Sequence, residues 1–160
     1  MIIQRAAEGT VRELARGYPV VAIPGLRQSR KTTLARMVFA DKPYVSLEDL
    51  DQREFAEEDP RGFLGRYPAG AVLEEVQRCP TLFSYLQTVV ERMDKAGFFI
   101  LTGSQQFRLL AGVSQSLAGR VGLLSLLPLS LRELQAAGRA PRVSTDLMYR
   151  VAARAVRRNS

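Results

Sequence analysis

The residues best suited to chemistry form one run, residues 25–33, with the sequence GLRQSRKTT. A short apolar segment precedes the run and a helix-like segment follows it, which gives the order strand, loop, helix. In a phosphate-binding loop of this order, backbone N–H groups surround the phosphates at a helix N-terminus, a Lys reaches the same oxygens, and the next hydroxyl ligates Mg²⁺. The candidate nucleotide-binding residues are Gly25, Leu26, Arg27, Gln28, Ser29, Arg30, Lys31, Thr32 and Thr33.

The match to this motif is incomplete. The motif G-x-x-x-x-G-K-[ST] has a second glycine directly before the Lys, and Arg30 occupies that position here. If position 30 requires a positive φ, a side chain there costs about 1–2 kcal/mol. Because a glycine-containing turn before a helix is common, the run alone leaves an ordinary loop open as the alternative.

Three further polar signals lie near the predicted strands. Glu74 and Glu75 follow a buried strand, Ser104 follows the next strand, and Arg120 directly precedes the last one. Ligands of open parallel sheets bind beyond the carboxyl ends of strands, so these residues are expected to converge with the loop on one site. Each also has a simpler interpretation: solvated carboxylates, a helix cap at Ser104, and a surface arginine.

The elements that must position these residues alternate between strand and helix. Apolar runs predict strands at residues 20–23, 44–47, 71–73, 98–101 and 121–130. Helical spacing predicts helices at residues 2–16, 32–39, 48–59, 61–66 and 81–93, with another beginning at 130. Strands that are apolar throughout predict an α/β fold of three layers, in which helices cover both faces of a mainly parallel sheet.

Composition excludes several kinds of chemistry. The chain has 160 residues, of which 46% are hydrophobic, no histidine and one cysteine. Histidine-based metal sites, histidine-based triads and an internal disulfide are therefore excluded. No apolar run approaches the length that crosses a bilayer, so no membrane partner is expected and a cytoplasmic location is predicted.

The net charge of +7 is unevenly placed. Residues 139–160 hold six arginines and one acid, so they carry +5, and residues 1–138 carry the remaining +2. We therefore interpret residues 1–138 as the core domain and residues 139–160 as a basic tail. Nucleic-acid binding through the tail is the least favoured interpretation, because the tail has no recognisable recognition motif and little aromatic interleaving.

Six segments together resemble a family of prokaryotic ATPases in the AAA superfamily, over about residues 1–150. They are VVAIPGLRQSRKTTL, YVSLED, EEDPRGFL, AVLEEVQRCPTLFSYLQ, FFILTGSQQF and SLAGRVGLLSLLPLSLREL. The resemblance implies a P-loop NTPase fold with five strands, in which the Ser104 strand lies between the phosphate-loop strand and the Glu74 strand. It also implies ATP and Mg²⁺ as ligands.

The resemblance also implies roles for individual residues. Lys31 would contact the β- and γ-phosphates, and Thr32 would ligate Mg²⁺. Glu74 occupies the position of an Asp that holds the metal through water.

Three residues are implied to be catalytic. Glu75 matches the acid that polarises the attacking water, and Ser104 resembles the polar sensor of the γ-phosphate. Arg120 resembles an arginine that acts at the nucleotide of the same or a neighbouring subunit. An arginine supplied by a neighbour would require a homo-oligomer or a partner protein.

The departures from the family weaken hydrolysis more than binding. Arg30 replaces a glycine, Glu74 extends the expected Asp by one methylene although Mg²⁺ demands near-octahedral geometry, and Leu26 replaces a Pro. Family members usually continue into an uncharacterised C-terminal domain, so we interpret this chain as a truncated or frameshifted member. The predicted function is ATP binding with impaired Mg²⁺-dependent hydrolysis. The alternative is a non-catalytic interaction scaffold.

Overall fold

The computed structural model describes residues 7–27 and 29–126. Within them, five strands form one sheet in the order β2-β3-β4-β1-β5, and every pairing is parallel. The strands are β1 (Val20–Pro24), β2 (Tyr44–Ser46), β3 (Ala71–Glu74), β4 (Phe99–Gly103) and β5 (Val121–Leu123). The predicted parallel sheet is confirmed, and so is the position of β4, the strand before Ser104, between β1 and β3.

Helices cover both faces of this sheet, as predicted. They are α1 (Glu8–Gly17), α2 (Lys31–Val38), α3 (Leu50–Glu58), α4 (Pro60–Gly65), α5 (Leu82–Met93) and α6 (Gln106–Ser116), with a 3₁₀ turn at Val76–Arg78. One apolar layer contains Phe63 and Leu86 of α4 and α5, and the other contains Val11 and Leu34 of α1 and α2. Because helices pack on both faces, all five residues of β1 and of β4 are buried.

Two capping aspartates mark where α3 and α4 begin. Asp49 accepts a hydrogen bond from the N–H of Asp51 at 3.0 Å, and Asp59 accepts one from the N–H of Gly62 at 2.9 Å. Asp59 is the last residue before Pro60, which has no N–H and fits only in the first turn of a helix. The acidic segment therefore forms α3 alone, and α4 begins at Pro60, close to the start of the separate helix predicted at residues 61–66.

The last strand is shorter than predicted. Residues 121–123 pair with β1, and beyond them only Leu126 makes a bridge, to Gly25, within the described residues. The rest of the predicted strand, the helix from residue 130, the tail at 139–160 and the first part of the helix at 2–16 lie outside the described residues.

The two edges of the sheet differ in which loops they carry. We call the edge where the strands end the carboxyl edge, and the edge where they begin the amino edge. Pro24, Glu74 and Gly103 lie at the carboxyl edge, and Arg120, directly before β5, lies at the amino edge. None of the helices within residues 7–27 and 29–126 is long and apolar enough to span a bilayer.

Candidate functional site

The loop of residues 25–33 leaves β1 at a closely packed glycine, Gly25. The N–H of Gly25 donates to the carbonyl of Gly103 at 3.1 Å. A Cβ on Gly25 would lie 2.6 Å from the carbonyl oxygen of Leu126 and 2.8 Å from Oγ of Ser29. Close backbone approach therefore accounts for this glycine. Of the predicted loop residues, Gln28 lies outside the described ones.

Arg30 ends the loop in a left-handed conformation. Its φ is 58° and its ψ is 31°, and α2 begins at the next residue. Glycine adopts this conformation freely, and other residues adopt it at a cost of about 1–2 kcal/mol. Position 30 therefore does require a positive φ, which is the condition under which a side chain there was expected to be costly. The side chain of Arg30 is exposed.

Lys31 lies in the first turn of α2 and faces a buried carboxylate. Its Nζ is 3.8 Å from Oε1 of Glu75, and the two residues are only 7% and 5% exposed. Charged side chains are rarely buried to this extent unless they are paired. The two predicted residues therefore form one buried ion pair at the N-terminus of a helix.

Three donors from the protein fix the carboxylate of Glu75. The N–H and Oγ of Ser104 donate to it at 2.9 and 2.8 Å, and Nε2 of Gln77 donates at 2.6 Å. Glu75 itself is left-handed, with φ of 54°, and this turn directs its side chain from the end of β3 towards the end of β4. Ser104 is thus a partner of Glu75 rather than only a helix cap.

Glu74 and Thr32 are in direct contact. Oγ1 of Thr32 donates a hydrogen bond to Oε1 of Glu74. Partial burial raises the pKa of Glu74, but hydrogen bonds from the hydroxyls of Thr32, Tyr44 and Ser46, with the charge of Lys31, bring the pKa below its ordinary value. The carboxylate is therefore held in its charged form, which is the form that binds a metal.

Tyr44 and Ser46 belong to the same site although the sequence did not single them out. They lie two residues apart on β2, so they share one face, and Ser46 is directly opposite Glu74 in the sheet. The guanidinium of Arg36 lies 4.3 Å from the centroid of the Tyr44 ring. Burial, together with the hydrogen bond and charge of Glu74, raises the pKa of the Tyr44 hydroxyl.

The sequence held a usable signal for Tyr44 and Ser46 but only a weak one for Gln77. The first two alternate on a strand whose neighbour ends at Glu74, and that pairing follows from the order of the strands. Gln77 lies in the 3₁₀ turn after β3 and is buried. Nothing in the local pattern predicts that turn.

The donor set fits Mg²⁺. Thr32 and Glu74 offer hard oxygen donors, and Mg²⁺ is usually held by one or two carboxylates together with phosphates and water. Across the described residues, no three or more His, Cys, Asp or Glu side chains form a metal-binding cluster. A metal here would therefore depend on nucleotide oxygens as well as on the protein.

Arg120 does not converge with the other candidates. It lies at the amino edge, where its carbonyl accepts from the N–H of Val20 and its guanidinium pairs with Glu91 at 2.9 Å. The carboxyl end of β1 is four residues further on, roughly 13 Å at the rise of a strand. The expectation that Arg120 joins the site of its own chain is wrong, because a residue before a parallel strand lies opposite the residues after it.

Curated relatives cover most of this chain. Uncharacterized proteins of Mycobacterium bovis and of Mycobacterium tuberculosis are each 34% identical to it over 137 residues. The matches include 84% of this chain and 31% of each relative. The chain thus spans about a third of the length of these relatives.

Solved structures share the fold at low sequence identity. A Walker-type ATPase of Pyrococcus abyssi superposes with a TM-score of 0.60 at 15% identity, covering 88% of this chain and 60% of that one. A DNA replication initiation factor superposes with a TM-score of 0.50 at 15% identity, covering 85% and 50%. The profile of the AAA domain family matches residues 17–135. The chain therefore belongs to the AAA domain family, and it has the fold of an AAA-superfamily P-loop ATPase domain.

Proposed function

We propose that this domain binds ATP with Mg²⁺ in the loop of residues 25–33 and hydrolyses it slowly. The observation that carries the proposal is the buried pair of Lys31 and Glu75, at 3.8 Å, where α2 begins. A buried cation at a helix N-terminus, beside a carboxylate that follows another strand of the sheet, provides one group for phosphate and one for water.

Binding would use the backbone and the cations of the loop. The first N–H groups of α2 have no partner inside the helix and would donate to phosphate oxygens. Lys31 would move its ammonium from Glu75 to the β- and γ-phosphates. Arg27, whose exposed guanidinium lies 3.9 Å from Glu48, and Arg30 would add positive charge to the loop.

Thr32 and Glu74 would hold Mg²⁺, the hydroxyl directly and the carboxylate through water. The ion would neutralise phosphate charge and orient the phosphates. The hydrogen bond from Thr32 to Glu74 must open for the hydroxyl to serve as a ligand. Ser46 and Tyr44 would keep the Glu74 carboxylate in place while it does so.

Glu75 would orient the attacking water and accept its proton. The donors from Ser104 and Gln77 hold the carboxylate in position, but they also occupy acceptor sites that the water needs. Turnover would therefore be slow until one of these bonds opens. The left-handed Arg30 and the long side chain of Glu74 act in the same direction.

Arg120 would act only on a neighbouring molecule. Its place at the amino edge supports a role in trans, in a homo-oligomer or with a partner protein, and its pair with Glu91 would have to open. We also propose the division into a core of residues 1–138 and a basic tail of residues 139–160, and a cytoplasmic location. A nucleic-acid role would rest on that tail, which lies outside the described residues.

A second candidate is a scaffold that keeps the fold without using nucleotide. Arg30 favours it, because a side chain stands where family members have a glycine beside the phosphates. The 31% coverage of the curated relatives is compatible with either candidate, since the rest of those proteins could supply a catalytic partner.

One sample distinguishes the candidates. Titrate the full chain with ATP and Mg²⁺ by calorimetry, and measure phosphate release under the same conditions. Saturable binding with slow release supports the proposal. Binding without phosphate release supports the ATP-binding part of the proposal and contradicts the part that proposes hydrolysis. Neither binding nor release, in a protein that is folded by circular dichroism, contradicts the proposal and supports the scaffold.

A further inference from the structure

A cavity of about 650 Å³ lies between α4 and α5, away from the phosphate loop. Pro68 and Phe98, which border it, precede β3 and β4, so the cavity lies at the amino edge of the sheet. Its volume is within the range of sites that hold small molecules, about 300–1,000 Å³. None of the residues assigned to the nucleotide site lines it.

The walls combine an apolar surface with hydroxyls. Tyr67 and Tyr85 face the cavity together with Val89 and Phe98, and Ser84 and Thr88 add hydroxyl groups from α5. Such walls suit a ligand with an apolar body and one or two polar groups.

Positive charge lies on the same walls. Arg61 and Arg92 both line the cavity, and no Asp or Glu does. The guanidinium of Arg61 lies 5.9 Å from the centroid of the Tyr85 ring. Within residues 7–27 and 29–126, no carboxylate approaches either guanidinium within 4.0 Å. The charge that would complement this surface is negative, and arginine pairs well with carboxylate and phosphate.

Gly65 is a lining residue of the cavity with unoccupied space beside it. It is the last residue of α4, it has no positive φ, and a Cβ placed on it would meet no atom within 4 Å. Neither backbone conformation nor close packing therefore accounts for a glycine here. Gly65 lines the cavity, and a side chain at this position would extend into open space there.

We propose that this cavity is a second binding site, which takes a small amphipathic anion: an aromatic or aliphatic body that carries a carboxylate, sulfonate or phosphate. The apolar walls would hold the body, and Arg61 and Arg92 would hold the charged group. This site is independent of the proposed ATP site, and each can fail without the other.

Two fluorescent probes that share their rings test the charge preference. 8-Anilinonaphthalene-1-sulfonate carries the anion, and N-phenyl-1-naphthylamine lacks it. In titrations of the full chain, the double variant Arg61→Gln/Arg92→Gln should bind the sulfonate roughly 10-fold or more weakly, because charge-assisted hydrogen bonds are lost. Its affinity for the neutral probe should stay within about twofold of that of the parent.

A second variant tests the location. Gly65→Leu places a side chain in this space without straining the helix and should weaken binding of both probes. The matched controls are Arg16→Gln/Arg108→Gln, which removes the same charge elsewhere, and Gly9→Leu, because a Cβ at Gly9 also meets nothing within 4 Å. Neither control should change the affinity for either probe.

Three results would overturn the proposal. One is a sulfonate affinity that survives the double arginine variant, and another is probe binding that survives Gly65→Leu. The third is loss of sulfonate binding in Lys31→Ala, which would move the anion site to the phosphate loop. The two cavity variants change different walls, so either one decides the question if the other fails to fold by circular dichroism.

Discussion

The two edges of the sheet differ in the residues that occupy their positions of positive φ. At the amino edge, the turns with positive φ before β3 and β4 use Gly70, at 84°, and Gly97, at 62°. A Cβ on Gly70 would lie 1.8 Å from the carbonyl oxygen of Phe98. At the carboxyl edge, the positions with positive φ hold Arg30 and Glu75. Apart from Asp94, which ends α5 near the amino edge, the non-glycine residues with positive φ in the described part of the chain lie at the carboxyl edge, where chemistry is proposed.

Within the carboxyl edge, the two strained residues also differ from each other. Hydrogen bonds from Ser104 and Gln77, and the charge of Lys31, offset the cost at Glu75. Arg30 is exposed and has no side-chain hydrogen bond or ion pair in the part of the chain that the structure describes. The strain at Glu75 is therefore compensated inside the protein. We expect the strain at Arg30 to weaken ligand binding instead.

The largest expected effect concerns Glu75. Glu75→Gln should lower the rate of ATP hydrolysis by about 10²–10⁴-fold, because the group that accepts the proton of water is lost. Affinity for ATP should be retained, because the phosphates contact the loop and Lys31. Phosphate release and calorimetry on the same protein measure both quantities. Glu13→Gln on the exposed face of α1 is the control, and equal rates for the two variants would contradict the role of Glu75.

Arg30 and Asp94 form a matched pair across the two edges. Both are non-glycine residues with positive φ, and Asp94 ends α5 near the amino edge. Substitution of each by glycine relieves up to about 1–2 kcal/mol of backbone strain, and less at Asp94 because aspartate tolerates this conformation better. Only Arg30→Gly should also tighten ATP binding, because only Arg30 adjoins the phosphates.

Glu74→Asp should change a different quantity from Arg30→Gly. The shorter side chain should free Thr32 for the metal and mainly raise turnover, whereas Arg30→Gly should mainly raise affinity. The double variant should gain more than the sum of the separate free energies, because metal and phosphates are held together. Steady-state hydrolysis and ATP affinity of all four proteins test this, and strict additivity would contradict it.

The lowered pKa of Glu74 predicts a smaller effect, on how the free energy of unfolding depends on pH. A carboxyl group whose pKa is lower in the folded state contributes stability above its unfolded pKa of about 4.3, and this contribution is lost as the pH falls through the folded value. Glu74→Gln should therefore reduce the free energy of unfolding at pH 7 and flatten its decline below about pH 4.3. Urea titrations across pH measure this, with Glu54→Gln as the exposed control. An unchanged pH profile would contradict the prediction.

The smallest effect is expected for Arg120→Ala. The ion pair with Glu91 is largely exposed, with side chains 41% and 44% accessible, and such pairs contribute about 0–1 kcal/mol. The affinity of the monomer for ATP should change by less than about twofold, because Arg120 lies at the other edge of the sheet. A loss of tenfold or more in a monomeric sample would show that Arg120 acts on its own nucleotide.

The sequence predicted most of the fold because its strands are short apolar runs separated by Pro, Gly and charged residues. The sequence did not predict α6, because Gly112 interrupts the helical pattern and is a residue typical of turns. In the structure, a Cβ on Gly112 would lie 2.4 Å from the ring of Phe83, so close packing accounts for a glycine inside this helix. A contact between residues 29 positions apart leaves no local trace.

The sequence predicted the site residues that directly follow strands. It did not predict the contacts that depend on the three-dimensional arrangement of the chain. Lys31 and Glu75 could be proposed from spacing and resemblance, and the structure places them 3.8 Å apart. Arg120 was grouped with them because it adjoins a strand, although it precedes that strand. Gln77 reaches Glu75 only through the local turn after β3, whose geometry the sequence does not specify.

The central claim is that residues 25–33 bind ATP through Lys31, and thermal unfolding tests it most directly. Compare the parent, Lys31→Ala and the amino-edge control Lys42→Ala, each with and without ATP and Mg²⁺. At 100 times Kd, ATP should stabilise the parent and the control by about 2.7 kcal/mol, a shift of roughly 5–10 °C in Tm for a chain of this size. Lys31→Ala should lose the shift. A parent with no shift, or a Lys31→Ala variant that keeps the full shift, would contradict the account.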